Sequence, residues 1–158
     1  MNILVLCTGN SARSILLESI FNTLGTGRIR AFSAGSNPTG KVHPQSLELL
    51  KELGHGTADA RSKSWDEFAA EDAPEMDMVI TVCASAAGET CPIWPGAPVR
   101  AHWGVADPAA ADRPEWDTAF RTAFATLEMR AKALLDLPFE TMNATELAQQ
   151  LKRIGEIV

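Results

Sequence analysis

Apolar runs of strand length alternate along this chain with stretches of helical periodicity. That alternation predicts the α/β class: a single domain, residues 1–158, built as a three-layer sandwich in which helices cover both faces of a parallel sheet. Two further observations point the same way. A length of 158 residues suits one domain with a sizeable core. Cys7, Cys83 and Asp107 each stand at or just after the end of an expected strand, where folds of this class bind their ligands.

The first strand is Asn2–Leu6. The first helix follows over about Ser14–Leu24, with Leu17, Ile20, Phe21 and Leu24 on one face, and Gly25 and Gly27 end it. Arg28–Ser33 reads as the second strand and Ser36–Gly40 as a turn-rich loop. His43 caps a second helix that starts at Pro44, carries Leu47, Leu50 and Leu53, and stops at Gly54. The polar stretch His55–Ser64 leads to a short helix over Trp65–Ala70. Met78–Val82 is the third strand, ending at Cys83 as the first ends at Cys7. Residues 84–97 read as loop, and Val99 to His102 or Trp103 as the fourth strand. Pro114 opens a long helix with Trp116, Phe120, Ala123, Leu127, Ala131 and Leu134 on one face. The last helix runs over Ala144–Ile154, capped by Asn143 with Glu146 as its reciprocal partner.

Between the first strand and the first helix runs Cys7-Thr8-Gly9-Asn10-Ser11-Ala12-Arg13-Ser14. A loop that ends at a helix N-terminus presents free backbone N–H groups, which bind anions. Gly9 is expected to let the backbone fold closely round a guest. Arg13 offers a planar fork of donors that matches a tetrahedral oxyanion. A thiol at the floor of this cradle is expected as a thiolate near neutral pH, because helix N-termini and nearby cations lower its pKa. Cys7 is therefore the candidate nucleophile, and Thr8, Gly9, Asn10, Ser11, Ala12, Arg13 and Ser14 form the candidate binding loop. A lone cysteine at a strand end is commonly a small core residue. The glycine, asparagine, serines and arginine around this one favour chemistry.

Bulk properties bound the function. The composition is 46% hydrophobic and 22% charged, ordinary for a globular protein, and the net charge is −6. That balance argues against nucleic-acid or anionic-membrane partners. No apolar stretch approaches the ~20 residues that span a bilayer, and no basic region precedes a long apolar segment at the N-terminus. The expected compartment is the cytoplasm, where cysteines serve catalysis, redox exchange or metal binding. Without an export signal, Asn143-Ala144-Thr145 carries little weight as a glycosylation acceptor. There are three cysteines. Cys83 and Cys91 lack the spacing or companion ligands of a zinc site, and no bound metal is expected.

The chain resembles the low-molecular-weight tyrosine phosphatase fold family and, within it, the arsenate reductases. The resemblance lies in Leu6–Ser14, Ser33-Ala34-Gly35, Thr81-Val82-Cys83, Cys91-Pro92, His102-Trp103-Gly104 and Asp107-Pro108, in that order. It implies a four-stranded parallel sheet, with Cys7 as nucleophile, Arg13 as oxyanion clamp and Asp107 as general acid. It also implies that Asn10 shapes the loop, that Ser14 hydrogen-bonds the thiolate, and that Cys83 and Cys91 form a redox relay. The chain departs from the family at several points. Ala84–Thr90 is one residue longer than the usual spacing between relay cysteines, and Ala12 stands where Cys is common. Some reductases hold a potassium ion near positions matching Asn10, Glu18 and Ser33 with a further acid; Trp65 aligns with that acid, so no ion is expected.

The implied reaction is thiol-dependent reduction of arsenate to arsenite. Phosphate and sulfate would mimic the substrate, and an external thiol reductant, thioredoxin or the glutaredoxin/glutathione type, would restore the enzyme. No tightly bound cofactor is expected. The alternative is a phosphotyrosine phosphatase using Cys7, Arg13 and Asp107. Such enzymes place aromatic residues after Asp-Pro, whereas Ala109 and Ala110 follow here and the chain has no tyrosine. An oxyanion-sensing module would need neither acid nor relay, and a general thiol–disulfide oxidoreductase would carry Cys-x-x-Cys. Asp107 taken alone would be a turn residue before proline. His43, His55 and His102 are assigned structural rather than acid–base roles.

Overall fold

The computed structural model describes residues 1–83 and 98–158. Four parallel strands, β1 (Asn2–Leu6), β2 (Arg30–Ala34), β3 (Met78–Thr81) and β4 (Val99–His102), form one sheet in the order β2-β1-β3-β4. The expected α/β class, with a four-stranded parallel sheet, holds; among the described residues the α-helices all pack in the cluster on one face. β1 is central, and Ile3, Leu4, Val5 and Leu6 are all 0% exposed, as a continuous apolar strand inside a parallel sheet should be. Alternation along β1 divides the core. Ile3 and Val5 join Cys7 in the cluster built with α1 (Arg13–Leu24), α2 (Pro44–Glu52), α3 (Trp116–Leu135) and α4 (Ala144–Ile154). Leu4 and Leu6 face the opposite side, where among the described residues Phe68, Met76 and Val79 cover them. Truncating one of these central leucines to alanine would cost about 2–5 kcal/mol.

Several boundaries differ from expectation for local reasons. β2 starts at Arg30 because the N–H groups of Arg28 and Ile29 still bond the Gly25 carbonyl, at 2.9 and 2.8 Å. Arg28 turns aside to Glu140 and to the carbonyls of Leu135 and Leu137. Leu24 is 40% exposed rather than on the buried face of α1. The segment expected as a short helix is a 3-10 turn over Trp65–Phe68. On α3, Phe124 and Arg130 are buried beside the expected face. α4 is capped as expected, Asn143 accepting from the Glu146 N–H at 2.8 Å. The stretch read as loop at 84–97, with Cys91, lies outside the described residues.

Strand register brings the candidate residues to one edge. Leu6 stands level with Ala34 and Thr81, and Thr81 with His102. Cys7, Gly35, Val82 and Trp103 therefore leave the sheet together at its carboxyl end. Gly35 is needed there. A Cβ on it would lie 2.3 Å from the Thr8 carbonyl oxygen and 2.7 Å from that of Cys7.

Candidate active site

The loop from Cys7 to Arg13 joins β1 to α1, which begins at Arg13 itself. Its N-cap is Ala12, no side chain caps the helix, and the first turn holds no acid. The positive end of the helix dipole is thus left without an internal counter-charge, the condition that suits an anion. The Arg13 side chain is 14% exposed. One terminal nitrogen donates to the Val105 carbonyl at 3.1 Å, and the other lies 3.6 Å from Asp107 Oδ2. Its Nε is buried with no hydrogen-bond partner among the described residues. Leaving such a donor unmatched costs about 1–3 kcal/mol, and a tetrahedral oxyanion in the loop would supply the acceptor.

The backbone turn that shapes the cradle falls on Asn10 rather than on Gly9. Among the described residues Asn10 is the non-glycine residue with positive φ, 45°, whereas a Cβ on Gly9 would make only ordinary contacts. Asparagine tolerates this region better than most residues. Here its side chain is tied at both ends and 0% exposed. Nδ2 donates to Ser14 Oγ at 2.8 Å, and Oδ1 accepts from the Lys63 N–H at 3.0 Å. Ser14 is thus engaged by Asn10.

Cys7 and Cys83 are both buried. The Cys83 sulfur also accepts from the Thr8 N–H at 3.4 Å and lies 3.6 Å from Thr8 Oγ1. The third strand therefore delivers its cysteine directly onto the loop. Cys83 also bears on the ionisation of Cys7. The Cys83 side chain, together with burial, pushes the Cys7 thiol above its ordinary value, against the Arg13 charge and the Gly9 N–H that pull it down. Burial and a neighbouring sulfur oppose the thiolate, and the guanidinium and the loop amide favour it.

Asp107 combines the two roles weighed for it. Its Oδ1 caps the 3-10 turn Pro108–Ala110, accepting from the Ala109 N–H at 3.0 Å. Its Oδ2 is the oxygen facing Arg13. The cap fixes the carboxylate, and its side chain remains 42% exposed. His43 caps α2 through Nδ1 and packs against Trp116 and Phe120. His102 bonds Thr81 Oγ1 at 2.7 Å, and His55 bonds Ser19. Cys7, Arg13, Asp107 and Cys83 are therefore brought together, and Cys91 lies outside the described residues.

Sequence reasoning missed the support behind the loop. The segment 61–64, read only as polar chain, docks there: Ser62 Oγ donates to the Gly9 carbonyl at 3.1 Å and the Lys63 N–H to Asn10. The Lys63 ammonium donates to Ser33 Oγ at 3.3 Å and to the Arg61 carbonyl at 3.0 Å, and lies 3.9 Å from Glu18 Oε2. An alkali-metal ion does not fit between Glu18 and Ser33, because that space holds a cationic side chain. Among the described residues no cluster of three or more His, Cys, Asp or Glu could hold a metal, and no helix is long and apolar enough to cross a membrane.

Residues 2–153 match the family model of the low molecular weight phosphotyrosine protein phosphatases. The chain belongs to that family. Its relatives place it on the arsenate reductase side. The arsenate reductase of Halalkalibacterium halodurans is 35% identical over 114 residues, covering 70% of this chain and 78% of that one. The solved arsenate reductase of Archaeoglobus fulgidus superposes with a TM-score of 0.66 at 28% identity, over 85% of this chain and 99% of that one. Another solved arsenate reductase, in its phosphate-binding state, superposes with a TM-score of 0.70 at 26% identity, over 85% and 96%.

Proposed function

We propose that this protein reduces arsenate to arsenite by a thiol relay. The observation that carries the reading is the buried Cys83 sulfur, seated on the Thr8 N–H of the loop that begins at Cys7. A hydrolase has no use for a second thiol there. Arsenate enters the cradle formed by the loop amides and Arg13, and a related arsenate reductase is known in a phosphate-binding state. The Cys7 thiolate attacks arsenic, an As–O bond breaks, and Asp107 gives the departing oxygen its proton so that water leaves. A thiolate at Cys83 then attacks the Cys7 sulfur. The S–As bond breaks, its electron pair stays on arsenic, and arsenite departs as a Cys7–Cys83 disulfide forms. Cys91 attacks Cys83 to release Cys7, and an external dithiol or glutathione reduces the resulting pair. Such a cycle belongs in a reducing compartment, the cytoplasm.

The family's name supports a second reading, phosphate ester hydrolysis by Cys7, Arg13 and Asp107 alone. The first displacement is common to both, so weak phosphatase activity is expected in either case. Cys83→Ser separates them. The reductase reading expects arsenite formation to stop while hydrolysis of a small aryl phosphate persists. Cys91→Ser should complete one turnover and stall as a Cys7–Cys83 disulfide, seen by non-reducing peptide mapping. Undiminished arsenate turnover by Cys83→Ser would remove the relay.

A further inference from the structure

Residues 61–63 lie in no helix or strand, yet they form part of the wall on which the anion loop rests. The Lys63 N–H fixes Asn10, the Lys63 carbonyl accepts from the Gly35 N–H at 3.0 Å, and Ser62 holds both the Gly9 carbonyl and the Gly40 N–H. What anchors this irregular segment is its one buried charged side chain. Lys63 is 8% exposed, and a buried ammonium persists only where it is paired and hydrogen-bonded. Its ammonium is held by groups from three places: Glu18 on α1, Ser33 on β2, and the segment's own Arg61 carbonyl. Burial pushes Glu18 up and Lys63 down, each held back by the other's charge.

We propose that Lys63 is a positioning residue of the oxyanion site: its ammonium is a built-in cation, clasped by Glu18 and Ser33, that pins its own backbone N–H on Asn10 and so holds the loop in its left-handed, anion-accepting turn. The inference rests on the reading of residues 7–14 as an oxyanion cradle. It explains why the chain places a costly charge behind a site rather than in it. The lysine does not touch the oxyanion. It acts through Asn10, whose Nδ2 in turn engages Ser14 at the start of α1. Glu18 and Lys63 also border a cavity of about 760 Å³, so a small cation can reach them from solvent.

The test measures binding of inorganic phosphate by calorimetry, with the reduced full-length protein. Lys63→Ala should bind phosphate about 5–150-fold more weakly, the usual range for coupling between two positions. Ammonium chloride should restore much of that affinity, whereas tetramethylammonium chloride at equal ionic strength should not, and the wild type should be indifferent to the choice. Glu18→Gln/Lys63→Met removes both charges and leaves no unpaired ion. It should stay folded, by thermal unfolding, and still bind phosphate weakly. Wild-type affinity in either variant overturns the proposal, as does a loss on which the two salts act alike. If the wild type itself does not bind phosphate, the cradle reading falls first, and this inference falls with it.

Discussion

The side of the loop facing Cys83 and Asp107 and the side facing Lys63 are built on opposite principles. On the reacting side, groups are left uncommitted. Arg13 Nε has no hydrogen-bond partner among the described residues, α1 has no side-chain cap, and Asp107 presents one oxygen to the guanidinium at 3.6 Å. On the supporting side, polar groups are matched. Asn10 is bonded at both ends, and Lys63 is tied to Ser33, to the Arg61 carbonyl and, more loosely, to Glu18. The difference teaches how the site affords unsatisfied donors. A loop with a left-handed asparagine persists only where its surroundings over-determine it. The supporting side provides that, and the reacting side is free to wait for an oxyanion.

Breaking the reacting side should have the larger effects. Asp107→Asn should slow the first displacement about 10²–10⁴-fold, the usual loss on removing a general acid, with phosphate affinity unchanged or tighter. Single-turnover kinetics with arsenate check this; normal turnover would leave Asp107 as a cap and nothing more. Arg13→Lys should lose about 10²–10³-fold in kcat/KM, because an ammonium cannot reproduce the planar fork. Here phosphate affinity should fall too, which distinguishes clamp from acid.

Breaking the supporting side should show first in stability. Asn10→Ala loses two hydrogen bonds and the tolerance for positive φ, at a cost of about 1–3 kcal/mol in urea unfolding. Asn10→Gly keeps the backbone free to turn but not the bonds. It should recover part of the stability without recovering phosphate affinity. Equal behaviour of the two variants would mean that the bonds, rather than the backbone turn, carry the whole effect.

The smallest change sharpens the boundary between the two cysteines. The Cys83 side chain is the leading influence that pushes the Cys7 thiol up. Cys83→Ala removes that influence and leaves Arg13 and the Gly9 N–H to favour the thiolate. The pH midpoint for alkylation of Cys7, followed by peptide mapping, should therefore move down. A midpoint that stays or rises would show that burial alone sets it.

Much of this was legible in the sequence, for physical reasons. The central strand is apolar at every position, so its place was plain, and the glycines, prolines and caps at Gly25, Pro44 and Asn143 bounded the helices within a few residues. That Cys7, Arg13, Cys83 and Asp107 come near one another was legible because strand ends converge at one edge of a parallel sheet. Three things were not legible. The positive φ falls on Asn10, whose side chain is held by Ser14 four residues on and by the Lys63 N–H 53 residues away, and the distant bond leaves no local mark. Lys63 looked like solvated chain, since nothing nearby in sequence announces that Glu18 and Ser33 meet it. The upward push on the Cys7 thiol comes first from Cys83, far along the chain, which a reading of the loop alone omits.

The central claim is that Cys7 begins an arsenate-reducing cycle completed by a second thiol. The most direct measurement is arsenite formed by the purified protein supplied with arsenate, first with thioredoxin and its reductase, then with glutaredoxin and glutathione. The account predicts multiple-turnover arsenite production with one of these donors and none from Cys7→Ser under the same conditions. Arsenite from Cys7→Ser at near wild-type rate would contradict it, as would a wild type that hydrolyses aryl phosphate yet makes no arsenite with either donor.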